Sequence, residues 1–256
     1  MSRKEQFAEN EFYHLYNRGT DRRAIFLDDR DFERFTRLLY VCNSGTPVIM
    51  KDLQAYNFSK LVSEYEPRKP LVAIGVYCLM PNHFHLLVRQ LTPQGISIFM
   101  KKLATGYSMF FNQRYERSGR LFESTFKSSR ITNDNYLQYL FAYIHLNPIK
   151  LVDPEWKSEG IKDLSRVAEH LKQYAYSSYS EYLGVDRPEK AVITRDSEIF
   201  PDYFESSFEF NNFIDFWLTY KDAENKEEII MPKTSPVSVS TQAILTSTAQ
   251  ETVPVV

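Results

Sequence analysis

His83-Phe84-His85 is the sharpest chemical signal in this chain of 256 residues. On a β-strand, residues two apart project to the same face, so both imidazoles would stand together while Phe84 turns away. Two such nitrogens make half of a divalent-metal site. Taken alone, a His-x-His pair is more often two hydrogen-bonded rings on a polar face. Tyr143 and Asn147 form a second pair, four residues apart in a stretch of helical periodicity and therefore on one helix face. A half-buried tyrosine and a helix-ending asparagine would explain that pair equally well. Leaning over the histidine strand, however, the helix would assemble two imidazoles, one amide oxygen and open coordination positions. That set suits Mg²⁺ or Mn²⁺ bound to a phosphate oxygen, with the Tyr143 hydroxyl beside it as a candidate nucleophile.

Other residues compete for these roles. Tyr139, one turn before Tyr143, is the rival nucleophile, and Tyr136 lies on the same helix. His145 falls on another side of that helix, which points to a structural role. His14, on the first strand, either lines the site or is an ordinary strand histidine, the commoner case. Cys42 and Cys78 cannot make a disulfide framework or a cysteine zinc site and read as buried apolar fillers. The default compartment is the reducing cytosol.

The elements that must position these residues follow from periodicity. Residues 12–17 are β-favouring and end at Arg18-Gly19, a turn signal. Residues 28–42 carry Phe32, Phe35, Leu38, Leu39 and Cys42 at helical spacing behind an acidic first turn. An irregular insertion is expected over 43–70. Residues 71–80, a near-continuous apolar run, and 83–89 flank Pro81-Asn82 and predict a hairpin, central in its sheet because its first strand is apolar on both faces. Helices are expected at 95–113 and 134–146, with a strand over 121–131 between them. This order is that of an α+β ferredoxin-like sandwich, an antiparallel sheet with helices on one face. Residues 1–184 are read as one domain, completed by a helix at 164–174 and the segment 176–183. Residues 185–230 are read as an acidic, partly helical extension with a helix near 206–220, and the Ser/Thr/Pro-rich stretch 231–256 as a disordered tail.

Composition narrows the function classes. No apolar run approaches a membrane span, and the charged N-terminus lacks a secretory pattern. Net charge is −2, but residues 186–256 hold 13 acidic and 6 basic residues, leaving residues 1–185 at +5. Within 101–130, Lys101, Lys102, Arg120, Lys127 and Arg130 flank the proposed site and are candidate contacts to a polyanion. Aromatic residues make up 15% of the chain, mostly core filling, with some available to stack on unpaired bases.

Two strings then fall into one pattern. Met80-Pro81-Asn82-His83-Phe84-His85-Leu86-Leu87-Val88 is followed by Ala142-Tyr143-Ile144-His145-Leu146-Asn147-Pro148-Ile149-Lys150. Together they resemble the single-tyrosine HUH transposases of the insertion-sequence type, most nearly the REP-associated tyrosine transposases. Asn17-Arg18-Gly19, Gly119-Arg120-Leu121-Phe122 and Tyr176-Ser177-Ser178-Tyr179 are similar too, and the resemblance covers about residues 10–184. It implies that His83, His85 and Asn147 bind Mg²⁺ or Mn²⁺ and that Tyr143 attacks a DNA phosphodiester, giving a 5′-phosphotyrosine and a free 3′-OH. The implied partner is single-stranded or hairpin DNA, met in the cytoplasm at the nucleoid by a monomer or homodimer. Two other functions fit the same residues: a domesticated nucleic-acid-binding module without cleavage activity, and a His-x-His metal hydrolase of a small substrate.

Overall fold

The computed structural model describes residues 6–47 and 56–219. The elements run β1 (Phe12–Arg18), α1 (Asp29–Val41), α2 (Phe58–Glu64), β2 (Val72–Met80), β3 (His83–Gln90), α3 (Gly95–Arg114), β4 (Lys127–Ile131) and α4 (Asp134–His145). After α4 come a 3-10 turn (Asn147–Leu151), α5 (Trp156–Glu159), α6 (Leu164–Gln173), α7 (Tyr179–Tyr182) and α8 (Ser207–Thr219). The four strands form one antiparallel sheet in the order β2-β3-β1-β4. That is the expected ferredoxin-like sheet.

Strand alternation divides the core. Tyr13 and Leu15 of β1 and Phe84, Leu86 and Val88 of β3 pack with Phe35, Leu38 and Leu39 of α1 and Phe99, Leu103 and Tyr107 of α3. The opposite side of the strands contributes Val76, Cys78, Met80 and Leu87 to a second cluster with Leu140, Ala142 and Ile144 of α4. Helices on one face therefore describes α1 and α3, and the chain adds a further helical layer on the other face. Residues 185–219 belong to that layer. Phe200, Phe204, Phe210 and Trp217 are buried in the α4 cluster, so packing is continuous across residue 184. The extension is helical over Ser207–Thr219, whereas the expected tail at 231–256 lies outside the described residues.

Three local expectations are revised. β2 is an edge strand, not a central one. Its apolar run reflects helices on both faces, and residues 176–178 cover its free edge: Leu79 N–H donates to Tyr176 O at 2.9 Å and Ser178 N–H to Tyr77 O at 3.0 Å. A bulge in β2 at Gly75 resets which side chains face α4, and no side chain fits there because a Cβ would lie 2.7 Å from the Phe200 ring. The strand expected over 121–131 narrows to Lys127–Ile131, because Leu121, Phe122 and Phe126 turn into the core instead of alternating. The insertion contains a helix, α2, started by Asn57, whose side chain accepts from Lys60 N–H, and anchored by buried Leu61.

Candidate active site

Backbone bonds around the β2–β3 turn fix the histidine strand. Gly19 N–H donates to Asn82 O at 2.9 Å, and the amides of Ile25 and Phe26 both donate to Pro81 O. The Asn82 side-chain amide reaches Arg22 O at 3.3 Å. Gly19 sits where a Cβ would come within 2.3 Å of Arg23 O, so the Asn17-Arg18-Gly19 string permits this close approach. Alternation then places His14 and Tyr16 of β1 beside His83 and His85 of β3, all turned toward α4, with Tyr16 paired across from His85.

Both motif histidines are held as neutral rings. His83 Nδ1 lies 2.6 Å from Asn82 Oδ1. That oxygen can only accept, so His83 carries its proton on Nδ1 and leaves the Nε2 lone pair free. Burial, helped by Lys150 and Arg18, holds its pKa down to about 4. His85 Nδ1 lies 2.9 Å from His14 Nε2 in a buried contact. Burial, with His14, His83, Lys157 and Lys150 nearby, keeps the His85 pKa well below the usual imidazole value. A metal takes the neutral ring, so these environments favour ligation. His14 is therefore part of the site and not an isolated strand histidine. The sequence carries no signal for that pairing until the strand order is known.

α4 brings the phenol. Asn133 caps its first turn by accepting from Tyr136 N–H at 2.8 Å, which sets the phase of the Tyr136, Tyr139 and Tyr143 stripe. The Tyr143 ring centroid lies 5.7 Å from that of His85 and 5.9 Å from that of His14, while His83 and His85 are 5.0 Å apart. Tyr143 is half-buried and burial raises its pKa. Tyr139, the rival, is buried against Trp217, and its pKa is pushed up further. Pro148 has no amide proton to continue the α-helix, so the chain tightens into the 3-10 turn. Asn147 folds back there, its side-chain amide donating to Tyr143 O at 2.7 Å and Ile144 O at 3.4 Å. The donor end of Asn147 thus caps the helix, and Asn147 lines neither of the hollows that hold His83 and His85. His145 points away and bonds Ser178 Oγ at 2.8 Å, the structural role expected of it.

The basic candidates separate. Lys127 lines an open groove of about 760 Å³ with His83 and His85. Arg18, Arg22 and Lys150, which sequence reasoning missed, line the same groove. Their signal was present in Asn17-Arg18-Gly19 and in the Pro148-Ile149-Lys150 ending, both read only as motif context. Arg120 is exposed on the loop whose backbone meets Thr20. Arg130 pairs with Glu11 at 2.9 Å. Lys101 and Lys102 ride on α3, across the sheet from the histidines, and the Lys102 ammonium donates to Ser44 O and Thr46 O at 2.6 and 3.0 Å. Lys157 of α5, also missed, places Nζ 4.5 Å from the Tyr143 ring centroid.

No group of three or more His, Cys, Asp or Glu side chains suited to a metal occurs among the described residues. Two imidazoles lining one open groove nonetheless form a donor pair that suits a divalent cation.

No curated protein matches the chain. A solved structure of a REP-associated tyrosine transposase bound to a REP hairpin is similar at 12% identity and a TM-score of 0.45, covering 74% of this chain and 90% of that one. The family described as "Transposase IS200 like" matches residues 13–147, from the first strand through Asn147, which opens the 3-10 turn after α4. That span is more than half of the sequence, and the chain belongs to the IS200-like transposase family.

Proposed function

We propose that this protein nicks and rejoins single-stranded DNA through a covalent 5′-phosphotyrosine at Tyr143, in a reaction that depends on Mg²⁺ or Mn²⁺. The observation that carries the reading is the meeting of Tyr143 with His85, its ring 5.7 Å away, where His83 stands beside His85 and burial lowers the pKa of both imidazoles. His83 and His85 through Nε2, and Asn147 through Oδ1, would hold the cation. When bound, it polarises the scissile phosphate and offsets negative charge as that charge develops on oxygen.

This chain's own groups supply the remainder. The Tyr143 oxygen bonds to phosphorus, its proton passes to water, and the phosphorus–O3′ bond breaks with O3′ taking up a proton. The phosphodiester is exchanged for a phosphotyrosine of similar energy, so a new 3′-OH can reverse the step without ATP. Burial raises the Tyr143 pKa, which opposes ionisation. The Lys157 ammonium against the ring acts in the other direction. Arg22, Lys127 and Lys150 along the groove fit the DNA backbone, Arg18 there being ion-paired with Glu123, and such phosphate contacts supply affinity that weakens with salt.

The test is covalent capture. Labelled single-stranded DNA incubated with the protein and Mg²⁺ or Mn²⁺ is expected to give a protein–DNA band that survives SDS and disappears in excess EDTA. DNA binding without any such band returns the protein to the class of binding modules. A band undiminished in chelator removes the metal from the reaction.

A further inference from the structure

Tyr139 and Tyr143 line two concavities. One, of about 270 Å³, also contains His14 and His85. The other is about 600 Å³, and most of its wall comes from residues beyond the span that matches the family. Trp156, Lys157 and Leu164 form its outer side, and Trp217 closes it from α8. Its surfaces are mainly aromatic and aliphatic, and Leu164 is left 47% exposed on the rim.

The polar groups there are few and specific. Lys157 Nζ is 4.5 Å from the Tyr143 ring centroid and 5.4 Å from that of Trp156, so one cation bridges the candidate nucleophile and the outer wall. Glu159, also on the wall, is ion-paired with Lys162 at 2.7 Å, so its charge does not repel an anion at the rim.

The ligand that fits is flat, has an apolar face and is joined to an anion. An unpaired nucleobase attached to its phosphate meets all three conditions, and base–aromatic stacking tolerates any of the bases. A strand whose phosphate reaches the Tyr143 hydroxyl lies beside this opening, because Tyr143 belongs to the walls of both this pocket and the histidine cavity. We infer that the Trp156–Lys157–Trp217 pocket receives one unpaired base of the DNA strand immediately beside the phosphate attacked by Tyr143. The inference rests on the proposed cleavage reading for the identity of that phosphate.

The experiment uses the full chain and single-stranded oligonucleotides recovered by covalent capture from a random pool. The fluorescent base aminopurine replaces each base near the captured phosphate in turn, and binding is measured in EDTA, where no strand is cut. One position next to that phosphate is expected to be strongly quenched by stacking while the others stay bright. Leu164→Trp, a change at an exposed rim position that fills the pocket, is expected to abolish that quenching. It should also raise the DNA concentration for half-maximal capture about tenfold, with an unchanged circular-dichroism spectrum. Strands that are captured yet quenched at no position overturn the pocket and leave Tyr143 chemistry standing, as does quenching that survives Leu164→Trp. Conversely, position-specific quenching with strands that the Tyr143→Phe variant captures equally well keeps the pocket and removes the nucleophile.

Discussion

The two faces of the sheet are built from alternate residues of the same strands and do different work. On the α1/α3 side, Phe84 and Leu86 of β3 and Tyr13 and Leu15 of β1 are almost entirely buried among aliphatic and aromatic side chains. On the α4 side, the intervening positions His83, His85, His14 and Tyr16 leave a polar cleft between strand and helix. One face holds the molecule together by close packing. The other gives up part of that packing to keep four polar rings within reach of one another. The lesson is that a single two-residue period encodes scaffold and site at once, so neighbouring substitutions should have unlike consequences.

The largest expected effect is chemical. Tyr143→Phe removes one oxygen from the cleft and keeps the ring, so covalent capture of labelled DNA should vanish while unfolding stability changes by less than about 1 kcal/mol. Tyr139→Phe, on the same stripe but packed on Trp217, should still be captured. Capture that follows Tyr139 instead would reassign the nucleophile.

Adjacent residues sharpen the comparison next. Phe84→Ala opens a cavity in the α1/α3 core and should cost about 3–5 kcal/mol in denaturant unfolding. His83→Ala, one position earlier on the half-buried cleft side, should cost about 1 kcal/mol or less yet abolish nicking in Mg²⁺ while DNA binding persists. Similar destabilisation by the two changes would dissolve the division between faces.

A subtler break concerns His14. Its Nε2 orients His85, so His14→Leu should weaken Mn²⁺ binding by about 10–100-fold, read by titration calorimetry without DNA, with little change in far-ultraviolet circular dichroism. Unaltered Mn²⁺ affinity would reduce His14 to a packing residue.

The smallest effect is on acid stability. Burial holds His83 at about 4 and His145 at about 3, against 6.5 for an unburied imidazole. Between those values the unfolded chain binds protons that the folded chain does not. Their contribution is complete above about pH 6.5, and stability falls as pH drops toward 4, by about 1 kcal/mol per pH unit for each ring. His145→Gln should flatten that slope in urea titrations, and an unchanged slope would place the acid sensitivity elsewhere.

Much of this was legible in the sequence. The periodicity of α1, α3 and α4 gives those helices to within about two residues at their ends, because amphipathic spacing and capping residues are local signals. His85 lies beside both His83 and Tyr143, whereas Asn147 lines neither hollow that holds the histidines. The edge position of β2 was hidden, because an apolar strand reports what covers it and not which strands it bonds. The His14–His85 contact was hidden for a related reason: it exists only because β1 enters the sheet beside β3, 71 residues away in sequence. Lys157 reaches Tyr143 from α5, where no local pattern distinguishes it from any exposed lysine.

The fold-back of Asn147 onto the Tyr143 carbonyl has a kinetic consequence. The final turn of a helix ordinarily frays on fast timescales, and a side chain carried there samples many orientations. Here the amide clasp and the Leu146 N–H to Ala142 O bond at 2.8 Å close that turn. Its backbone amides should therefore exchange with deuterium about as slowly as those at mid-helix. In the proposed reaction the phenol would meet an arriving strand already aimed, and the rotational entropy of that aim would be surrendered during folding and not at each turnover.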